Sequence, residues 1–504
     1  GGKVGGAFNN GYRNPYAEMA RGYKSKFSST VVANLKFDQK LDFITPGLSA
    51  NVLFSFKNWS NTETKRSGGY NQFEVDKYNY DASGVYQGYT LRRVGKEQDP
   101  TLKTENTSSG DRRIYLQAMV NYNRTFGEKH NISGMLLYNQ DQYDTNNPSD
   151  LIASLPQRKQ GFAGRLTYDY DYRYLAEFNF GYNGSENFAD GHRFGFFPAY
   201  SLAWNIAEEK IIKKHLKWMN MFKIRYSYGK VGNDNVGTRF PYLYSIADNY
   251  KEDDQTKYYA GYNWATYGSN KSYNGLRYTK LASNDITWEI ATKSDLGIDM
   301  ALFDDKFTAT IDYFDESRSG IYMEREFLPG MVGLDGNKPY ANVGEVNSKG
   351  FDGNFSYKQK INNVRLTVRG NITYSKNEII ERDEENNVYA YQMKKGYRVN
   401  QNRGLIALGL FKDYDDIRNS PTQKYGPVMP GDIKYKDVNG DGVVNDGDIV
   451  AIGSTSKPNL IYGLGLSATW KGLDVSLHFQ GAGKSQFFTY GTVSYTHLTL
   501  PTIL

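Results

Sequence analysis

Residues 31–56 read VVANLKFDQKLDFITPGLSANVLFSF, and their alternation decides the fold class. Val31, Ala33, Leu35, Phe37 and Leu41 fall on one side of an extended chain, while Val32, Asn34, Lys36, Asp38 and Lys40 fall on the other. Successive side chains of a strand point to opposite faces, so this stretch makes a ribbon with one apolar and one wet face. A tight "TPG" turn at 45–47 follows, after which Leu48, Ala50, Val52, Phe54 and Phe56 resume the apolar face. Two such runs about a short Pro-Gly turn predict an antiparallel hairpin.

The same unit recurs down the chain. Ile114–Phe126 and Ile132–Tyr138 flank "GEKHN", and Phe162–Tyr170 and Tyr174–Tyr182 flank a turn near Asp171. Phe196–Ile206 and Phe222–Tyr228 flank a short amphipathic helix, "AEEKIIKKHLKW". Strands ending near Ala301 and starting near Phe307 meet at "LFDD", Phe351–Tyr357 and Val364–Tyr374 at "KINN", and Tyr462–Trp470 and Val475–Phe479 at "KGLD". The total is about fourteen strands, paired as hairpins. Between hairpins the connections are long: about 50 residues from Asn58 to Arg112, a similar length from Lys230 to Asp285, and about 80 from Lys376 to Asn459. Tight turns at one end and large polar loops at the other are expected of a transmembrane antiparallel up-and-down β-barrel, and are rare in a compact soluble domain.

Composition agrees. The 504 residues include 43 Tyr, 27 Phe and 51 Gly but only 14 Pro, a balance that favours pleated, half-buried surfaces. Mean hydropathy is -0.67, and no run of about eighteen apolar residues exists to form a spanning helix. A membrane barrel stays allowed, because only alternate residues meet lipid. Aromatic clusters near strand ends, "TYDYDYRY" (167–174), "FGFFPAY" (194–200) and "IDYF" (311–314), suit an interfacial girdle. In 175–184, Ala176, Phe178, Phe180 and Tyr182 form an apolar row opposed by Glu177, Asn179 and Gly181. The competing assignment is a soluble β-sandwich whose aromatic face is its core.

The absence of Cys removes disulfides, thiolate metal sites and cysteine catalysis. The 61 basic and 55 acidic residues are well mixed, so nothing points to nucleic acid. No catalytic constellation emerges. His130, His192, His215, His478 and His497 are scattered, and His192 is expected in a loop or at a strand end. The carboxylate runs "RDEENN" (382–387) and "EDDQ" (252–255) read as solvated loops, and "GGKVGG" lacks the strand–helix context of a phosphate loop.

One local pattern does carry chemistry. In "DVNGDGVVNDGD" (437–448), Asp437, Asn439, Asp441, Asn445 and Asp448 occupy the side-chain ligand positions of a calcium loop, and Val443 offers its carbonyl. Gly442 permits the sharp bend that gathers oxygens around Ca²⁺. Asp448 stands where Glu is usual and is shorter, so it ligates less fully. The alternative is an Asx-and-Gly-rich surface turn without an ion.

Several stretches resemble SusC/RagA-type TonB-dependent transporters of Bacteroidetes outer membranes: 41–56, "GSENFADGHRFGFFPAYSLAWNIAEE" (184–209), "RYSYGKVGNDNVG" (225–237), 286–314, "ANVGEVNSKGFDGNF" (341–355) and 430–481. The resemblance spans nearly the whole chain and keeps family order. It implies that residues 1–492 are an incomplete receptor barrel, about fourteen of about 22 strands. It implies import of oligosaccharides or peptides, a SusD-type lipoprotein lid over the extracellular mouth, and drive by TonB. The TonB-contacting segment and plug would precede residue 1, and the final strands would follow. Residues 493–504, "VSYTHLTLPTIL", continue no family pattern and read as a non-native tail, so this piece is not expected to transport by itself.

Under this resemblance, substrate contacts are expected from loop aromatics: Tyr80, Tyr86, Tyr259, Tyr262, Trp264 and Tyr267. Packing of the loops on one another, or on the lid, is the alternative role for these rings. Two rival functions stay open: a siderophore or cobalamin receptor that needs no lid, and a secreted β-rich adhesin or carbohydrate-binding protein.

Overall fold

The computed structural model describes residues 15–247, 262–263, 272–273, 277–327, 338–385 and 389–488. "GGKVGG" and the tail at 493–504 lie outside them. Fourteen strands form one sheet in which each is hydrogen-bonded to its neighbour in sequence. They are β1 (Gly22–Lys40), β2 (Leu48–Ser67), β3 (Lys103–Phe126), β4 (His130–Thr145), β5 (Gln157–Tyr170), β6 (Tyr174–Ser185) and β7 (Phe194–Asn205), then β8 (Met219–Asn233), β9 (Glu289–Leu302), β10 (Phe307–Glu324), β11 (Tyr340–Ile361), β12 (Val364–Glu381), β13 (Leu460–Trp470) and β14 (Leu473–Gly483). This is the expected up-and-down meander, and every predicted hairpin is present.

The tight ends follow from local turn chemistry. β11 and β12 meet at Asn362-Asn363 and β13 and β14 at Lys471-Gly472, with positive φ at Asn362, Lys471 and Gly472. Two-residue turns of this hand match the twist of the strands they join. Between β7 and β8 the predicted helix forms over Lys210–His215, after a single 3₁₀ turn at Ile206–Glu208.

The other ends differ from expectation. β2 runs 20 residues, β3 24 and β11 22, about twice the length that crosses a bilayer. "NWSNTETKRS" (58–67) and "KTENTSSGDRR" (103–113) are therefore strand and not loop. Beyond lipid both faces are wet, so alternation fades although the ladder continues. Between them lies a second hairpin, Gln72–Tyr80 paired with Tyr86–Val94. The long 376–459 connection is likewise ordered by short ladders: Arg403–Gly404 with Val450–Ala451, Ala407–Leu410 with Ile433–Tyr435, and Thr422–Gln423 parallel to Val443–Val444.

Two compact units divide the chain. One comprises 1–37, 51–118 and 139–159, and holds the loop ends of β1–β4 with their hairpin. The other comprises 38–50, 119–138 and 160–504. In this second unit the alternation is realised in register: Phe178 pairs with Tyr200, Phe180 with Pro198 and Tyr182 with Phe196, while Glu177 pairs with Ser201 on the opposite face. Phe178, Tyr200 and Leu202 are 43 %, 49 % and 62 % exposed, so no second sheet covers this aromatic face among the described residues. That excludes the sandwich assignment, whose aromatic face would be buried.

Rings line the turn end of this face. Tyr174 stacks between Tyr170 and Trp204, with centroids 6.5 Å apart in each case, and Trp218 stacks on Phe303 at 5.4 Å. The buried core sits instead at the loop end, where Phe188, Phe197, Val236, Ile286 and Trp288 cluster.

Candidate functional site

At the loop end, three segments far apart in sequence are clasped together. Ser185 Oγ donates to Asp234 Oδ2 at 2.7 Å, and Asn187 Nδ2 donates to the Asp234 carbonyl at 2.9 Å. Asn187 Oδ1 accepts from Phe240 N at 2.7 Å, and Trp288 Nε1 donates to the Arg193 carbonyl at 3.1 Å. Phe188, fully buried, places its ring 5.4 Å from that of Trp288. The motifs "GSENFADGHRF" and "VGNDNVGTRF" thus build a rim. His192 lies in its turn, as expected, with its backbone N–H on the Ala189 carbonyl.

The polar face of β6–β11 is crowded with charge. Arg225 reaches Asp295 at 3.1 Å, Asp299 at 3.3 Å and Asp312 at 2.5 Å, and Lys223 meets Asp299 at 2.9 Å. Gly297 pairs directly with Arg225, and a Cβ there would lie 2.5 Å from the guanidinium carbon. Glycine is what lets the fork lie flat among the three carboxylates. A recess of about 590 Å³ opens on this face beside Asp169, Glu177, Ser201, Lys223 and Arg225.

Three of the six aromatic candidates fall on described residues, two of them with their side chains. Tyr80 and Tyr86 are cross-strand partners near the tip of the 72–94 hairpin, with ring centroids 6.0 Å apart and planes at 65°. Tyr78 adds a third ring 6.2 Å from Tyr86. Tyr80 and Tyr86 are 62 % and 51 % exposed, so more than half of each side chain stays open to solvent beside this contact. Tyr78 was missed in the sequence; it shares the alternation of Tyr80, and that was the available signal. Tyr262 pairs with Tyr273 through the backbone. Tyr259, Trp264 and Tyr267 lie outside the described residues.

The 437–448 loop is closed by its own side chains. Asp437 accepts from Gly440 N at 2.7 Å and Gly442 N at 2.8 Å, Asn439 from Asp441 N at 3.0 Å, and Asp441 from Val443 N at 2.8 Å. Asn445 accepts from Gly447 N at 2.6 Å. Asp448 is wholly buried, accepting from Val438 N at 2.7 Å, Asn439 N at 3.3 Å and Asn445 N at 2.8 Å. Burial by itself would push its pKa up; the three N–H groups outweigh burial and hold it below the ordinary carboxylate value. Tyr391 donates to the Gly447 carbonyl at 2.6 Å, and Tyr425 to Asp446 at 2.8 Å. Burial, reinforced by Asp446, pushes the Tyr425 hydroxyl up to about 12.

Measured against a cation, this donor set fits in part. Carboxylate and amide oxygens have spare lone pairs after one N–H bond, so Asp437, Asn439 and Asp441 keep acceptor capacity. Asp448 is wholly buried and takes three backbone N–H groups on its two oxygens, which leaves it less acceptor capacity than Asp437. Among the described residues, no group of three His, Cys, Asp or Glu converges as a metal cluster.

Comparisons with known proteins agree with this architecture. The family described as "TonB dependent receptor-like, beta-barrel" matches residues 2–493. TonB-dependent receptor P3 of Formosa agariphila is 23 % identical over 92 % of this chain and 43 % of its own length. TonB-dependent receptor SusC of Bacteroides thetaiotaomicron is 22 % identical over 94 % of this chain and 45 % of its own. The chain thus spans less than half the length of these relatives. A structure of the RagAB peptide transporter superposes with a TM-score of 0.67 at 16 % identity, covering 96 % of this chain and 50 % of that one. A sheet of fourteen successive strands, apolar on one face and ionised on the other, matched by this family along nearly its whole length, places the chain in the TonB-dependent receptor β-barrel family as an outer-membrane protein of SusC/RagA type.

Proposed function

We propose that this chain is barrel wall of a SusC-type importer that carries oligosaccharides or peptides across the outer membrane. A SusD-type lipoprotein would close the extracellular mouth, and TonB would supply the drive through an N-terminal region. The observation that carries this reading is the two-faced sheet: exposed rings at Phe178, Tyr200 and Tyr313 outward, and the Arg225–Asp295–Asp299–Asp312 network inward. Such a wall separates lipid from a polar passage. The chain has no catalytic role in this reading. Tyr80 and Tyr86 would stack on sugar or peptide surfaces at the entrance. RagAB, a solved structure of the same fold, is a peptide transporter, and for that reason peptides stand beside oligosaccharides in this proposal.

The test is affinity purification of the full-length protein from detergent-solubilised outer membranes, followed by mass spectrometry. A stoichiometric lipoprotein is expected. A barrel recovered alone would replace the lidded importer with a siderophore- or cobalamin-type receptor, and recovery in the soluble fraction would favour an adhesin.

A second, smaller proposal concerns the 437–448 loop. Its glycines Gly440 and Gly442 already hold positive φ, and its carboxylates already point inward on the curl. Ca²⁺ would be held by Asp437, Asn439, Asp441, Asn445 and the Val443 carbonyl, stiffening the loop. Calcium titration of the loop's amide exchange tests this: slower exchange with Ca²⁺ but not with Mg²⁺ supports it, and unchanged exchange removes it.

A further inference from the structure

The outward face of β10–β13 changes character abruptly toward the loop end. Ile311 and Tyr313 on β10, Phe351 and Phe355 on β11, Ile372 and Tyr374 on β12, and Tyr462 on β13 are apolar or aromatic and share one face by register. The next residues of that same face are Asp315, Lys349, Lys376 and Glu378. Lys349 pairs with Asp315 at 3.0 Å. The step from rings to charges marks the outer edge of the hydrocarbon.

Directly beyond that edge lies a cavity of about 490 Å³, lined by Tyr374, Lys376, Glu378, Arg398, Ser454 and Lys484 among others. Three cations here face one carboxylate, and none of the three is ion-paired among the described residues. Arg398 is oriented by donating Nη1 to Ser454 Oγ at 2.7 Å, and Ser454 Oγ in turn donates to the Lys484 carbonyl at 2.6 Å. Lys484 Nζ sits 5.0 Å from the centre of the Tyr374 ring, at the girdle itself. A solvated loop surface has no need to gather unpaired cations around one opening at this height.

We infer that this cavity binds the phosphate of an anionic lipid headgroup in the outer leaflet. Its acyl chains would lie along the apolar face of β11–β14, against Leu464, Leu466, Leu477 and Phe479, which are exposed on that side. Position selects lipid over a free anion: the cations crown an exposed apolar wall, and only an amphiphile satisfies both.

The test uses the full-length protein purified from outer membranes in mild detergent, with bound lipid extracted and quantified by mass spectrometry. It compares the wild type, Lys376→Gln/Lys484→Gln, and the charge-matched control Lys214→Gln/Lys217→Gln at the turn end. All four lysines are exposed, so the folded barrel is expected in each, checked by heat-modifiable migration. Two basic side chains at a lipid surface account for about a thirty-fold difference in affinity. Near-stoichiometric phosphorylated lipid on wild type and control, and a drop of that order in the cavity variant, is the expected result. Equal lipid on all three proteins overturns the inference. Binding of inorganic phosphate with the same dependence, without carried lipid, assigns the cavity to a free anion and overturns the lipid source. Loss of a co-purifying protein with lipid unchanged makes it a protein contact and overturns it as well.

Discussion

Gly297 shows how one missing methyl group fixes a charge network. Its absent Cβ would meet Asp312 Oδ1 at 2.3 Å and the Arg225 guanidinium carbon at 2.5 Å, so Gly297→Ala must displace the fork from its carboxylates. The expected cost is about 1–3 kcal/mol, read as a lower urea midpoint for the barrel in vesicles; a midpoint matching wild type would mean the fork moves freely. Asp448 gives a pH prediction. Its folded pKa lies below the ordinary 3.8, so the stability it lends is complete above that value and is lost as pH falls through the lowered one. Amide exchange at Val438, Asn439 and Asn445, corrected for intrinsic rate, should hold steady from pH 7 to 5 and open only below about 3.8. Opening already near pH 5 would show that Asp448 is not the acceptor that holds the loop. The spacing of Asp437, Asn439, Asp441 and Asp448 was legible as a curled loop, because Asx and Gly residues bend the chain locally. What Asp448 does was not legible: accepting three N–H groups depends on how the loop closes on itself. Tyr391 and Tyr425 reach the loop from remote segments, and no local pattern announces such partners.

At the scale of elements, strands were readable only where a membrane imposes alternation. Val364–Tyr374 was found because Val364, Leu366, Val368 and Ile372 fall on alternate positions broken only by Gly370, whereas the extension of β12 to Glu381 carries "SKNEIIE", which has no such period. The 72–94 hairpin was missed for the same reason, since "QFEVDKYNY" interleaves charges with rings and bulges twice. That hairpin is also where function can be separated from stability. Tyr80 and Tyr86 are more than half exposed, so Tyr80→Ala/Tyr86→Ala should leave surface abundance and heat-modifiable migration unchanged. It should lower uptake of substrate supplied well below saturation by about ten-fold, the combined loss of two ring contacts. Unchanged uptake would assign the tyrosines to contacts among the loops. Phe188 provides the contrast: Phe188→Ala empties a fully buried site between Phe197, Ile286 and Trp288, and should cost about 3–5 kcal/mol in unfolding of the rim.

At the scale of the molecule, the argument turns on which solvent each face meets. A sheet with Phe178 and Asn179 adjacent in sequence must aim them oppositely, and the register places Phe178 among Tyr200 and Phe180 while Asn179 joins Glu177 at 2.7 Å. If the outward face touches lipid, Phe178→Arg forces a cation into hydrocarbon near mid-height, at a cost of about 2–4 kcal/mol. Asn179→Arg, one residue away, stays in water beside Glu177 and should cost close to nothing. Both are measured by denaturant unfolding from phospholipid vesicles, then repeated in a detergent whose micelle lets water reach the belt. In vesicles the two variants should separate by the full margin, and in detergent the gap should narrow, because the arginine can then snorkel to water. A sheet whose aromatic face were instead covered by protein would show the same large penalty in both media. Equal tolerance of the two arginines in vesicles would mean that neither face meets lipid, and would remove the membrane wall on which the transport proposal and the headgroup site both stand.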